Sequence, residues 1–175
     1  MKYQITFVFL LMMVWSQAGL AQTLNVNQNN ATLAFAGEHA GMSFDGVFEQ
    51  WESNLVLPPQ DNPNIVATFR LASAKTGDST YDETLPEEDW FDAETFPTAR
   101  FESSQIIPVA NGYEVVGKLS IKGKTNPVRF ILEQKANQLV AAFAIDRLAF
   151  GIGVESDPEA EWVSQMIDLK LTINP

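Results

Sequence analysis

Residues 112–121 read Gly-Tyr-Glu-Val-Val-Gly-Lys-Leu-Ser-Ile, residues 122–127 read Lys-Gly-Lys-Thr-Asn-Pro, and residues 128–132 read Val-Arg-Phe-Ile-Leu. The first and last segments are rich in β-branched and aromatic residues, which favour strands. The middle segment contains a glycine and ends in a proline, as turns often do. The sequence therefore predicts two antiparallel strands joined as a hairpin.

Shorter runs of the same kind lie on both sides of this hairpin. In residues 65–71, Ile65, Ala67, Phe69 and Leu71 alternate with Val66, Thr68 and Arg70. This alternation predicts a strand whose first set of side chains faces inward. Similar runs occur at 33–35, 44–48, 140–145 and 167–173. We count about eight strands over roughly 150 residues, which indicates an all-β fold, either a closed barrel or a sandwich.

Residues 80–97 break the alternation and predict one or two short helical turns between strands. Seven carboxylates and no basic residue lie in 82–94, whereas 118–135 contains five basic residues and one carboxylate. This uneven charge indicates a solvated surface, with a docking face for a partner as the alternative. The prolines and the charge favour a lid or rim, with Trp90 and Phe91 toward the interior and the carboxylates toward water.

Composition excludes several classes of function. The chain of 175 residues has 22 acidic and 11 basic residues, a formal net charge of −11, which disfavours nucleic acid as a partner. It has no cysteine and a single histidine, His39, so thiolate, disulfide and multi-histidine metal sites are excluded. No G-x-S-x-G motif accompanies that histidine, and we predict neither catalysis nor a cofactor.

The N-terminal segment has the features of a secretory signal peptide. Lys2 precedes an apolar run over 5–15 that is too short to span a bilayer, and small residues at Gly19 and Ala21 precede Gln22. We therefore predict a signal peptide over 1–21 and a single exported domain over 22–175.

The aromatic content is high for a chain with little predicted helix, and most of these rings must be buried. These rings either pack the core of a sandwich or line a barrel whose interior leaves room for an apolar ligand. The periodicity of the sequence does not distinguish a packed sandwich from such a barrel. His39 lies where one strand turns into the next, as a hydrogen-bonded turn residue or as a polar group at a cavity mouth.

Several motifs occur in one collinear order along the chain. Phe35-x3-His39 and Phe44-x-Gly46-x-Phe48 are followed by Trp90-Phe91-Asp92, by Phe96-Pro97-x-Ala99-x-Phe101, and by Gly117-x-Leu119-x-Ile121-x-Gly123-x-Thr125-x-Pro127-Val128. Asp146-Arg147-x-x-Phe150-Gly151 comes last. Together they resemble the YceI-like family of exported polyisoprenoid-binding proteins from Leu24 to Ile173. The chain departs from that pattern at Asn30, where the family often has a histidine.

The resemblance implies an extended lipocalin-like antiparallel barrel without a cofactor or catalytic activity. Its cavity would hold a polyisoprenoid lipid or an isoprenoid quinone in the periplasm. The alternative is an interaction module that docks a membrane b-type cytochrome or a stress-response partner through the acidic 82–94 face. The candidate cavity residues are Phe35, His39, Phe44, Phe48, Phe69, Trp90, Phe91, Phe101, Phe130, Phe143 and Phe150.

Overall fold

The computed structural model describes residues 23–175, which form one antiparallel sheet of eleven strands curled into a half-barrel. The strands are β1 Thr23–Asn27, β2 Ala31–His39, β3 Met42–Phe48, β4 Trp51–Val56, β5 Asn64–Arg70, β6 Ala74–Lys75, β7 Thr98–Val109, β8 Gly112–Ile121, β9 Lys124–Lys135, β10 Gln138–Asp146 and β11 Met166–Ile173. Their order in the sheet is β1-β4-β5-β7-β8-β9-β10-β11-β2-β3-β6. One α-helix, α1, covers Ser79–Thr84, and two 3₁₀ turns cover Leu71–Ser73 and Leu148–Phe150.

The predicted all-β, lipocalin-like fold is confirmed, with eleven strands in place of about eight. The strands that the predicted runs leave out are β1, β4, β6 and β7, and two of them, β4 and β7, have an irregular pattern of buried side chains. In β4 the inward positions are Trp51, Ser53 and Leu55, so a serine interrupts the apolar alternation. In β7 the register shifts between Ser103 and Gln105, which moves the next buried side chain off the expected parity.

The predicted hairpin is formed by β8 and β9, but its turn is shorter than the sequence indicated. Ile121 pairs with Lys124, so only Lys122 and Gly123 connect the strands. Both connecting residues have positive φ angles, 50° and 71°, the backbone of a two-residue turn that suits the twist of adjacent strands. Pro127 consequently lies within β9, opposite Lys118.

The facing of β5 agrees with the prediction. Ile65 and Ala67 are buried, Phe69 packs against the same core, and Arg70 is exposed at the end of the strand. Leu71 is buried as expected, although it opens a 3₁₀ turn instead of extending the strand. Within 23–175, no helix is long and apolar enough to cross a membrane. The predicted signal peptide over 1–21 lies outside the described residues.

Candidate functional site

The concave face of the sheet encloses an apolar cavity of about 150 Å³. All the empty space between the lining atoms, including the part that is open to solvent, amounts to about 1320 Å³. Thirty residues line it, and all but four have pure hydrocarbon side chains. The four exceptions are Trp51, Ser53, Trp90 and Arg147. A cavity lined in this way stays dry and favours apolar occupants.

Aromatic side chains from β2, β3, β4 and β5 form one continuous group around the cavity. The Phe48 ring centre lies 5.5 Å from that of Phe35 and 6.1 Å from that of Phe69. Phe69 in turn lies 5.9 Å from Trp51. These rings meet because each occupies an inward position on its strand, and the tilted arrangements suit the charge distribution of aromatic rings.

A second aromatic group comes from β7, β9 and β10. The ring centres of Phe101 and Phe130 are 5.6 Å apart, and those of Phe130 and Phe143 stack at 4.7 Å. In the sheet, β7 lies next to β5, and β8, β9 and β10 follow it in that order. The cavity is therefore lined by flat, rigid side chains from most of the sheet.

Gly46 allows one of these rings to lie close to the backbone. A Cβ atom at this position would be 2.4 Å from a ring atom of Phe35 and 2.6 Å from the carbonyl oxygen of Lys75. Any larger residue would therefore displace the Phe35 ring or separate β3 from β6. This contact explains in physical terms why the Phe44-x-Gly46-x-Phe48 motif contains a glycine.

Residues 85–96, which we call the cover segment, pack on the cavity between α1 and β7. Leu85, Trp90 and Phe91 line the cavity from this segment, and the Phe91 ring lies 6.1 Å from that of Phe48. The predicted inward direction of Trp90 and Phe91 agrees with this placement. The helix before the segment is held at its start by Asp78, whose carboxylate accepts hydrogen bonds from two backbone N–H groups.

The prediction that all seven carboxylates of 82–94 face water is wrong for two of them. Asp89 accepts hydrogen bonds from the backbone N–H of Glu155 and from the N–H and hydroxyl of Ser156, at 2.6–3.0 Å. Partial burial raises the pKa of Asp89, but these hydrogen bonds and Lys122 outweigh burial and lower it below its usual range. The backbone and hydroxyl of Thr76 likewise lower the pKa of Asp82. Both aspartates therefore hold this part of the chain in place.

A buried ion pair between Arg147 and Asp157 lies behind Trp90. The guanidinium donates to the carboxylate at 2.6 Å and to the carbonyl oxygens of Ile152, Val163 and Ser164 at 2.8, 2.9 and 3.2 Å. The two side chains are 1% and 5% exposed. Every nitrogen of this guanidinium therefore has an acceptor, as a buried charge requires.

The Asp157 carboxylate is held equally well. Burial raises its pKa, but the backbone N–H groups of Val163, Trp162 and Glu161 and the charge of Arg147 together lower it. Sequence reasoning missed this pair, because Asp157 lies among the acidic residues Glu155, Glu159 and Glu161, and such a cluster is usually solvated. The Asp146-Arg147-x-x-Phe150-Gly151 motif was the available signal, since an arginine followed by the apolar residues Leu148, Ala149 and Phe150 must find a buried partner or reach solvent.

Nine of the eleven candidate residues line the cavity, and His39 and Phe150 do not. His39 is half-buried at the end of β2, where its Nδ1 lies 2.7 Å from the Tyr81 hydroxyl oxygen. It therefore joins β2 to α1, as a hydrogen-bonded residue near a strand end. Phe150 is 2% exposed and packs in the core from a 3₁₀ turn, outside the residues that line the cavity.

The described residues contain no group of three or more acidic or histidine side chains arranged to hold a metal ion. Across 23–175, the cavity and its cover segment form an apolar pocket, and the side chains of Ser53 and Arg147 at its wall are hydrogen-bonded within the protein.

Comparison with known proteins defines the class. The YceI-like domain matches residues 24–174, and the chain belongs to the YceI-like family. It is similar to a UPF0312 protein of Photorhabdus laumondii, 30% identical over 113 residues, which cover 60% of this chain and 56% of that protein. A UPF0312 protein of Yersinia enterocolitica is 33% identical over 107 residues, 57% of this chain and 53% of its own length. The chain spans about half the length of the curated relatives it matches.

Solved structures share the fold. BcnA of Burkholderia cenocepacia is 27% identical with a TM-score of 0.75, over 85% of this chain and 98% of BcnA. A polyisoprenoid-binding domain of Saccharophagus degradans has a TM-score of 0.60 at 12% identity, over 88% of this chain and all of that domain. The second similarity concerns the fold alone.

Proposed function

We propose that this protein binds an isoprenoid lipid, such as a polyisoprenoid or an isoprenoid quinone, in its aromatic cavity, and sequesters or carries it without chemical change. One observation carries the proposal: an apolar cavity is lined by thirty residues of which only four bear polar atoms. The domain of Saccharophagus degradans with this fold is described as polyisoprenoid-binding, which supports the same class of ligand here.

Energetics favour such a ligand. An empty volume of about 150 Å³ costs the folded protein about 3–4 kcal/mol in lost packing. A branched hydrocarbon chain recovers that loss and gains about 0.8 kcal/mol for each methylene group that it removes from water. Affinity then comes from contact area, so lipids with related chains compete for the same site.

We propose further that the protein acts in the periplasm. The support is the sequence of residues 1–21, which has the charge, apolar run and small residues of a cleaved signal peptide. Locating the protein in cell fractions, together with N-terminal sequencing of the mature chain, tests this part separately from ligand binding.

The alternative function, docking of a partner protein through the acidic 82–94 face, has less support than lipid binding. Asp82 and Asp89 are engaged within the protein, which leaves five of the seven carboxylates of 82–94 for a basic partner such as a membrane b-type cytochrome. An exposed acidic surface is also common in proteins with high negative charge and does not by itself identify a partner.

The decisive experiment extracts the purified protein with organic solvent and analyses the extract by mass spectrometry. We expect a prenyl lipid in the extract, and the same lipid should rebind to the stripped protein. Ala99→Phe fills the cavity from β7 and should abolish rebinding, whereas Ala142→Phe adds the same ring at an exposed position on β10 and should not. An empty extract, with no rebinding of prenyl lipids, would overturn the proposal.

A further inference from the structure

The cavity offers no free positive charge to an anionic ligand. Among the described residues that line it, Arg147 is the one cation, and the surface that faces the cavity is apolar. The Arg147 side chain is 1% exposed and donates to the Asp157 carboxylate at 2.6 Å. Its other hydrogen bonds go to backbone carbonyl oxygens. A phosphate group that entered the cavity would therefore lose its water shell without gaining a counter-charge.

The segment that closes the cavity is acidic on its water-facing side. Four glutamates of residues 82–94 are exposed: Glu83, Glu87, Glu88 and Glu94. The Lys122 ammonium beside this segment donates to the backbone oxygens of Asp89 and Gly151, both at 3.0 Å. The Lys75 ammonium lies 3.9 Å from the Asp82 carboxylate. An anionic head group left at this surface would meet carboxylates, and the net charge of −11 adds to the repulsion.

We infer that the cavity takes isoprenoids with an uncharged head group and rejects prenyl phosphates. This inference rests on the proposed function and narrows its ligand class to neutral lipids, such as prenyl quinones, alcohols and hydrocarbons. A phosphate is unfavourable in both positions open to it, buried in the cavity without a counter-charge or exposed beside the glutamates. An uncharged head group avoids both costs, because it can stay in water at the cover segment while the chain fills the cavity.

Exclusion by charge supplies a selectivity that the aromatic lining does not. Hydrocarbon contacts discriminate weakly between chains, because each methylene contributes a similar small amount wherever it lies. A prenyl alcohol and its phosphate can also carry the same chain, so contacts with the chain do not distinguish them. The lining therefore sets the overall affinity, and the missing cation together with the acidic cover segment sets the choice of head group.

The test compares farnesol with farnesyl pyrophosphate, which carries the same chain. The stripped protein is titrated with each probe below its micelle-forming concentration, and tryptophan fluorescence follows binding, since Trp90 lines the cavity. In low salt, farnesyl pyrophosphate should bind at least about a hundredfold more weakly than farnesol. Added salt should strengthen its binding by screening the repulsion and should leave farnesol unchanged. Farnesylacetone, also uncharged and with a longer skeleton, should bind at least as tightly as farnesol.

Two charge reversals locate the source of the repulsion. Glu88→Lys changes an exposed position on the cover segment, and Glu52→Lys changes an exposed position on the outer face of β4, between the inward Trp51 and Ser53. Both variants alter the net charge equally. In low salt, Glu88→Lys should strengthen binding of farnesyl pyrophosphate by about three- to tenfold, and Glu52→Lys should have a clearly smaller effect. Neither should change farnesol binding, and thermal unfolding checks that both variants fold.

The outcomes separate this inference from the proposed function. If farnesol binds and farnesyl pyrophosphate binds within about threefold of it, the inference is wrong while the proposed function stands. Equal effects of Glu88→Lys and Glu52→Lys would also overturn the inference, since the cover segment would then not be what repels the phosphate. If none of the three probes binds, the proposed function fails, and the inference fails with it.

Discussion

The guanidinium carbon of Arg147 lies 5.8 Å from the centre of the Trp90 ring, so the buried ion pair of Arg147 with Asp157 supports the cover segment from behind. A cation over an aromatic face is favourable, and more so where water is excluded. The interaction ties two features that are far apart in the sequence, the cover segment and the loop after β10. It gives Trp90 a fixed position at the edge of the cavity.

Breaking this ion pair should destabilise the protein strongly. In Asp157→Asn the Arg147 charge stays buried without its counter-charge, and we expect the free energy of unfolding to fall by about 3–5 kcal/mol in urea denaturation. Glu102→Gln is the control, because its partner Arg100 is 3.4 Å away and both side chains are more than half exposed. That change should cost less than about 1 kcal/mol. Similar losses in the two variants would contradict this assignment.

Stability should fall in acid because of the same carboxylate. The pKa of Asp157 is lowered in the folded protein, whereas in the unfolded chain it is about 3.9. The unfolded state therefore binds more protons as the pH falls, and stability is complete above about pH 5 and decreases below it. Urea midpoints measured from neutral pH downward should show this decrease, with a shallower slope in Asp157→Asn. A stability that rose on acidification would contradict the lowered pKa.

The cover segment should act as a lid whose opening depends on Asp89. Asp89→Asn weakens the hydrogen bonds to Glu155 and Ser156, and we expect bound lipid to leave about 2–10 times faster in a stopped-flow displacement assay. Glu88→Gln removes the neighbouring exposed carboxylate and should leave the release rate unchanged. Equal rates in wild type and Asp89→Asn would mean that the lipid leaves by another route.

The sequence predicted what depends on local alternation and missed what depends on distant polar contacts. The hairpin of β8 and β9 and the facing of β5 follow from the residues of those segments alone. The Arg147–Asp157 pair was missed because its two members are ten residues apart in a loop, where no periodicity marks a buried charge. The sequence also does not show that Trp51 Nε1 lacks a hydrogen-bond acceptor among residues 23–175, because this depends on which residues surround it in the fold. A tryptophan in a strand predicts only that its ring is buried.

The inward face of β5 provides a direct test of the cavity wall. Phe69→Asp places a carboxylate among the rings of Phe48 and Trp51, and we expect it to unfold the protein or abolish lipid binding. Arg70→Ala changes the adjacent exposed position and should do neither. Circular dichroism and lipid rebinding measure the two effects, and equal damage from both changes would show that the facing of β5 is wrong.

Lipid binding should be nearly independent of salt, because a neutral isoprenoid exchanges no counterions with a protein of net charge −11. Docking of a basic partner on the acidic 82–94 face should instead weaken steeply as ionic strength rises, since the attraction there is between exposed charges. We therefore expect the dissociation constant for farnesylacetone to change by less than about twofold between low and physiological salt. A tenfold loss over that range would mean that charge contributes directly to lipid binding, and the apolar cavity would not account for the affinity.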